Sequence, residues 1–426
     1  MASFSFGAGN ARKIASIPLY ALGSLATSLI PRRRDSWVFG CAVGIADGAL
    51  ALWQVAAAGG HPAVWLVGTP REARDAAARG IPYVAKNSWR GFWLTARASV
   101  VVVTHGFGDV NRYAVSDAFV VQLWHGIPLK RIGLDSAETV RSGILPGSAA
   151  MRVALTGMYR AAARRISVLP AASHLVRGRL ESAFGLPDER VPVTGEPRVD
   201  VLSQGDAQTR RSAARAAIAT AAGPADGRDR LVLYAPTWRD GAADPAVPSA
   251  QEWRTLVDML HRRRAVLLVR SHPLGAGNYA PPFATERVVS LGSDVVPDVT
   301  PLLPGVDVLV TDYSSLAFDS ALVPLPVIYL APDVEAYSRT RGLYGSYADV
   351  AGDDWAVDWT GATAQLDALL GDDAERERRI EAARRLSARV HAFRDGENTA
   401  RVYRAIRTGL DRRHPAHPGA VRKGLR

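Results

Sequence analysis

Phe119-Val120-Val121-Gln122-Leu123-Trp124-His125-Gly126-Ile127-Pro128-Leu129-Lys130 is a short apolar run that empties into a polar, proline-broken loop. The run is too short for an ordinary helix and lacks the strict alternation of a strand with one wet face. That pattern fits a strand covered on both faces in a parallel sheet. Working outward, similar runs occupy Trp37 to Val43, Ala63 to Val67, Ser99 to Val103 and Ile166 to Leu169. A second series follows at Leu231 to Ala235, Ala265 to Arg270, Arg287 to Ser290, Asp307 to Val310 and Val327 to Leu330. Ala/Arg/Leu-rich helical stretches separate them, which is α/β wiring.

Between the two series, Ser203 to Arg230 turns Ala/Gly/Asp/Arg-rich, with a helix-prone stretch and then Gly223-Pro224-Ala225-Asp226-Gly227, so the domain junction is expected there. The expected organisation is two doubly wound, Rossmann-like domains facing a central cleft. Residues 36–205 form the first, 206–230 a linker region and 231–410 the second. Residues 1–35 and 411–426 are basic ends.

The 426 residues are 48% hydrophobic and 22% charged, enough apolar surface for two cores and not the composition of a disordered chain. A lone Cys41 excludes a disulfide scaffold and a multi-cysteine zinc site, and fits a reducing, cytoplasmic setting. The net charge is +11, and its excess sits at the ends. Arg12, Lys13, Arg32, Arg33 and Arg34 stand against Asp35, while Arg412, Arg413, Arg422, Lys423 and Arg426 stand against Asp411. Charge placed this way argues against a nucleic-acid groove. It leaves two readings open, basic ends that meet an anionic membrane surface or a solvated basic tail. The uncharged stretch Ile14 to Ile30 contains Pro18 and Gly23 and is diluted by serines and Thr27, so a packed or interfacial helix is expected and not a span.

In open parallel sheets ligands bind beyond the carboxyl ends of the strands. The runs lead there into Thr104-His105-Gly106, Trp124-His125-Gly126, Pro236-Thr237-Trp238-Arg239, Arg270-Ser271-His272-Pro273 and Thr311-Asp312-Tyr313-Ser314-Ser315. These groups suit a nucleotide diphosphate. Ser314 and Ser315 stand at a helix start, where hydroxyls and free N–H groups meet an anion, although ordinary N-capping explains them equally well. Arg239 and His272 add donors for the same phosphates, and Asp319 can accept from ribose hydroxyls. A neutral imidazole at His125 can take a proton from an attacking hydroxyl; the alternative is a strand-end histidine bonded to a carbonyl. His105, with Asp109 and Arg112 close behind, reads as part of a turn, with a structural or acceptor-side supporting role and not a catalytic one. Asp-x-Asp, Walker, Gly-x-Gly-x-x-Gly, Gly-x-Ser-x-Gly and His-Glu-x-x-His motifs are absent, so no cofactor and no metal ligand set is expected.

Taken in order, Val121 to Lys130, Thr194-Gly195-Glu196-Pro197-Arg198-Val199-Asp200, Tyr234 to Arg239, Ser271-His272-Pro273 and Val310 to Asp319 resemble the CDP-glycerol glycerophosphotransferases of teichoic-acid synthesis. Arg341-Gly342-Leu343-Tyr344 extends the resemblance, and Phe393 to Arg401, with Asp395, Gly396 and Asn398, resembles the family's closing motif. It implies a GT-B architecture, with the acceptor bound largely by the first domain and the CDP-activated donor by the second. By this resemblance His125 is the general base and His272 a second catalytic and donor-contacting group. Arg239, Thr311, Asp312, Ser314, Ser315 and Asp319 are the other donor contacts, and Gly126 and Lys130 lie on the acceptor side. Ile127 departs from the small hydroxyl residue common in the family.

The implied reaction transfers glycerol phosphate, or a related polyol phosphate, from CDP-glycerol to a hydroxyl of a lipid-linked polyprenyl or glycan acceptor and leaves CMP. It would take place on the inner face of the cell membrane. Two rivals stand beside it, a GT-B glycosyltransferase using a nucleotide sugar and a non-catalytic membrane-associated scaffold.

Overall fold

A computed structural model of the chain describes residues 17–140, 148–223, 229–237, 239, 244–271 and 279–413. Among them are two fully parallel sheets. The first holds β1 (Arg33–Phe39), β2 (Ala63–Val67), β3 (Tyr83–Ala85), β4 (Ala98–Val103), β5 (Phe119–Gln122) and β6 (Ile166–Val168), in the order β3-β2-β1-β4-β5-β6. The second holds β7 (Arg230–Ala235), β8 (Ala265–Val269), β9 (Val288–Ser290), β10 (Val308–Thr311) and β11 (Val327–Tyr329), in the order β11-β10-β7-β8-β9. Both are doubly wound, so each has a switch point: β1 against β4 in the first, β7 against β10 in the second. The crevice for a ligand opens at such points, beyond the carboxyl ends.

The apolar runs lie where they do because both faces of each sheet are covered. On one face of the first sheet the rings of Trp37, Phe39 and Trp65 stack in a row, and helices Asp47–Ala58 and Asn398–Arg413 cover them. Val101, Val103 and Val120 point the other way. In the second sheet Val232, Tyr234 and Leu267 pack under Trp253 and Trp359. Leu231, Leu233 and Leu309 belong to an apolar cluster that continues across the junction to Val199 and Leu202.

Three features differ from the sequence expectation. Strand β3 was not anticipated, because Tyr83-Val84-Ala85 is a three-residue edge strand too short for a periodic signal. The region expected as a linker is held on the second domain: its helix-prone stretch forms the helix Ala207–Ala222, and Arg211 and Arg215 of that helix both pair with the buried Asp307. The last helix, Asn398–Arg413, returns to the first domain: Val402 and Ile406 enter its core and Tyr403 packs on Trp37. Helix Ile17–Ser28 rests on the first domain through Gly23 and Tyr20, both against Tyr113, and through Thr27, which is buried. Its Leu19, Leu22 and Leu25 are exposed. Among the described residues no helix is long and apolar enough to cross a membrane.

Candidate active site

The two switch points face each other, and the loops after β1, β4, β5, β7 and β10 converge between the sheets. His125 follows β5. Its backbone is held open by Trp124, a non-glycine residue at φ 62°, and by Gly126 at φ 123°. A Cβ on Gly126 would lie 3.0 Å from Ser315 Oγ, so glycine permits the first domain's loop to approach the second domain's serine. The loop then joins the second domain by backbone pairing. Arg131 N donates to Gly342 O (3.0 Å) and Tyr344 N donates to Leu129 O (2.9 Å), while the side chain of the first domain's own Arg179 braces the loop by donating to Pro128 O (2.9 Å).

The His125 ring is stacked flat on His105, with centroids 4.1 Å apart and planes 3° from parallel, and Trp124 leans on it at 4.2 Å. His105 is held by the expected turn: the Asp109 carboxylate accepts from the backbone N–H of Thr104 (2.9 Å), His105 (2.7 Å) and Gly106 (3.3 Å). Burial first, and the neighbouring His105 second, push the His125 pKa well below the ordinary 6.5. The imidazole is therefore neutral at neutral pH, the state that can accept a proton.

Two cavities meet at this residue. One, about 1530 Å³, is lined by the loop after β1, by His105 and His125, and by Arg198, Arg270 and Arg341. The other, about 290 Å³, lies between His125 to Lys130 and the second domain's Thr237, Ser314 and Ser315. His125 and Arg341 line both. Ser314 and Ser315 are half-exposed toward the smaller cavity, and Thr237 Oγ1 is buried there with no hydrogen-bond partner among the described residues. An unsatisfied buried hydroxyl on a cavity wall is a position for a ligand oxygen. Thr237 and Arg341 were not singled out from the sequence. The available signals were their place inside the Tyr234 to Arg239 and Arg341 to Tyr344 motifs and, for Thr237, its position just beyond a strand end.

The structure places four other expected site residues in the frame of the cleft. Arg239 is 7% exposed, and its guanidinium donates to Asp312 Oδ2 (2.8 Å), to both Asp333 oxygens (3.1 Å each) and to the Thr237 carbonyl (2.6 Å). It also lies over the stacked rings of Tyr313 and Tyr337. Asp312 Oδ1 accepts from Thr237 N (2.8 Å) and Tyr313 N (2.6 Å), and Thr311 Oγ1 donates to Ala235 O (2.7 Å). These groups lock the loops after β7 and β10 to one another. Asp319 is 1% exposed, and both its oxygens accept from Arg198 Nη1 at 2.7 Å, so its carboxylate is spent on that arginine. The helix after Ser315 runs only from Leu316 to Ser320, so its dipole is small; the hydroxyls and loop N–H groups are what face the cavity. Lys130 sits on the smaller cavity's wall. His272 lies outside the described residues.

Arg198 is the hub of the junction. Besides Asp319, it donates to Thr300 Oγ1 (3.1 Å) and lies 3.4 Å from Asp47 Oδ1. Burial opposes its charge, yet Asp319, Asp47 and Glu196 together hold it firmly protonated. Two residues on, the Asp200 carboxylate accepts from the N–H of Asn398 (3.0 Å) and Thr399 (2.7 Å), capping the last helix from a distance in sequence. Gly195, at φ 76°, leaves no room for a side chain against Asn398.

Glu196 is fully enclosed, and burial raises its carboxyl to about 8 despite the opposing Arg198. In the native state it keeps its proton up to that pH, whereas in the unfolded chain it ionises near 4.5. Stability is therefore lost as pH rises from about 4.5 to about 8. Glu196→Gln is expected to remove that component, so that its melting temperature gains on the wild type between pH 5 and pH 8. Parallel pH profiles of thermal unfolding for the two proteins would refute this.

The family model for CDP-glycerol:poly(glycerophosphate) glycerophosphotransferases matches residues 43–408. The chain is 28% identical over 334 residues to a teichoic acid glycerol-phosphate transferase of Staphylococcus aureus, covering 76% of this chain and 80% of that one. It is 27% identical over 274 residues to a teichoic acid poly(glycerol phosphate) polymerase of Bacillus subtilis, covering 62% of this chain and 34% of the polymerase. In structure it is similar to the wall teichoic acid polymerase TagF, with a TM-score of 0.74 at 20% identity over 95% of this chain and 98% of that one. A form of TagF soaked with CDPG has a TM-score of 0.73 at the same identity, over 96% and 98% of the two chains. That likeness carries the two-domain GT-B fold.

Proposed function

The chain belongs to the CDP-glycerol:poly(glycerophosphate) glycerophosphotransferase family, and we propose that it transfers glycerol phosphate from CDP-glycerol to a hydroxyl of a membrane-linked acceptor. One observation carries this reading: His125, held neutral, forms the wall shared by the two cavities and lies beside the second domain's Ser315. An acceptor in the large cleft and a donor pyrophosphate by Thr237, Ser314 and Ser315 would then meet at its imidazole.

The acceptor oxygen attacks the β-phosphorus, a new P–O bond forms, the bond from that phosphorus to the bridging oxygen breaks, and CMP leaves with that bond's electron pair. His125 takes the hydroxyl proton. Alignment and charge neutralisation carry most of such a transfer. The hydroxyls of Ser314, Ser315 and Thr237 position the phosphates, Arg341 adds positive charge between the cavities, and His272 serves as a donor contact and second catalytic group. Gly126 and Lys130, expected on the acceptor side, line the smaller cavity beside the donor serines, at the boundary between the two substrates. Arg239, Thr311 and Asp312 act by positioning the donor loops, and Asp319 by fixing Arg198.

Peripheral attachment to the inner face of the membrane is part of the proposal. It is supported by the basic ends of the chain and the exposed leucines of helix Ile17–Ser28. The test offers CDP-glycerol, CDP-ribitol and UDP-sugars with a lipid-linked or glycosidic acceptor mimic and measures CMP, UDP and product mass. CMP release with a gain of one polyol phosphate is expected. Turnover of a UDP-sugar with every CDP donor inert would overturn the assignment.

A further inference from the structure

The amino-terminal edge of the first sheet, opposite the cleft, carries a recess of about 670 Å³ where β5 and β6 begin and the last helix ends. Phe119, the first residue of β5, lines it, whereas His125 lies just past that strand's far end, on the order of 20 Å away at the rise of an extended strand. Arg164, Arg165, Arg190, Arg412 and Arg413 line the recess with Asp117 and Glu189. Arg190 is engaged by the carbonyls of Arg164 and Ile166. Arg164, Arg165 and Arg412 are exposed and make no ion pair among the described residues. Arg198, Arg211, Arg215, Arg239 and Arg379, by contrast, pair with carboxylates.

We propose that this recess is a second binding site, for a polyol-phosphate chain. The unmatched guanidinium forks suit phosphodiester oxygens. The two carboxylates suit the opposite partner, a hydroxyl that donates. A ligand that alternates anionic phosphates with hydroxyl-bearing carbons satisfies both, and the reaction proposed above makes such a ligand; the inference rests on that reading for the chain's identity. A flat bilayer surface is a poorer match for a concave site with carboxylates in its wall. Held there, the distal part of a product chain would stay with the enzyme between transfers.

The test measures binding of a fluorescently labelled, soluble oligo(glycerol phosphate) to the full chain. Replacing three of the recess's four exposed arginines together (R164A/R165A/R412A) is expected to weaken binding about tenfold or more and to flatten its salt dependence. CMP release with a single-unit soluble acceptor should not change, while products made on a long acceptor should shorten. D117N/E189Q should weaken the oligomer and leave inorganic tripolyphosphate binding intact. Unchanged oligomer affinity in the triple arginine variant overturns the proposal. So does loss of sedimentation with phosphatidylglycerol vesicles alongside normal oligomer binding, which would make the recess a lipid contact. If the wild type releases no CMP from CDP-glycerol yet oligomer binding depends on the three arginines, the reaction assignment fails and the site stands.

Discussion

His125→Ala is expected to lower transfer about 10²–10⁴-fold, the range lost when a positioned general base is removed. Donor affinity should change much less, because the pyrophosphate is expected beside Thr237, Ser314 and Ser315 and not on the imidazole. The pH profile gives an independent readout. Burial and His105 hold the His125 pKa well below 6.5, so the wild type should keep full activity through neutral pH and lose it only on acidification, as the ring gains a proton. The residual activity of the variant should lack that acid limb. The ring packs against His105 and Trp124, so circular dichroism and thermal unfolding must first show that the variant folds. A folded His125→Ala protein that transfers at close to the normal rate would remove His125 from the chemistry.

Arg198→Ala is expected to be the most destabilising single change in the junction, by about 3–5 kcal/mol, since it strands the buried carboxylates Asp319 and Asp47. The cost comes from the unpaired charges more than from the lost pair. The double variant R198M/D319L should therefore recover much of the stability that Arg198→Ala loses. Arg198→Lys should recover little, because an ammonium cannot supply the same set of donors to Asp319 and Thr300. Denaturant midpoints for the set measure this directly. Equal midpoints for Arg198→Ala and wild type, or strictly additive effects of the two single changes at Arg198 and Asp319, would show that the pair is not coupled.

The strands were legible because their signal is local. Ala63 to Val67 was read with the bounds the structure has, and most of the other runs to within a residue or two. β1 differs more. It starts at Arg33, where charged residues sit on an exposed strand end, and stops at Phe39, just before Gly40 packs against the Asp109 backbone with no room for a side chain. Strand-end loops were legible for the same reason: an apolar run that stops at a polar segment marks a carboxyl end, and in a parallel sheet all such ends share one rim. His125, Gly126, Ser314 and Ser315 were found that way and do line the cavities.

Residue identity did not reveal which polar groups face the cavity and which face one another. Arg239 finds Asp312 across 73 residues of chain, and Arg198 finds Asp319 across 121. In the sequence, Arg239, Asp312 and Asp319 resemble ligand contacts as closely as Ser314 and Ser315 do. Only the fold shows that their charges are already matched. Asp200 capping a helix that starts at Asn398, and that helix returning to the first domain, are of the same kind.

The sequence by itself determined the α/β class, the two-domain order and the rim on which the chemistry lies, because these follow from periodicity and from the direction of parallel strands. Tertiary structure alone decided that Thr237 and Arg341 belong to the cavity walls, that Arg239 and Asp319 belong to the frame, and that an unmatched set of arginines gathers on the far edge. Pairing between distant charges is a property of packing, and no local pattern encodes it.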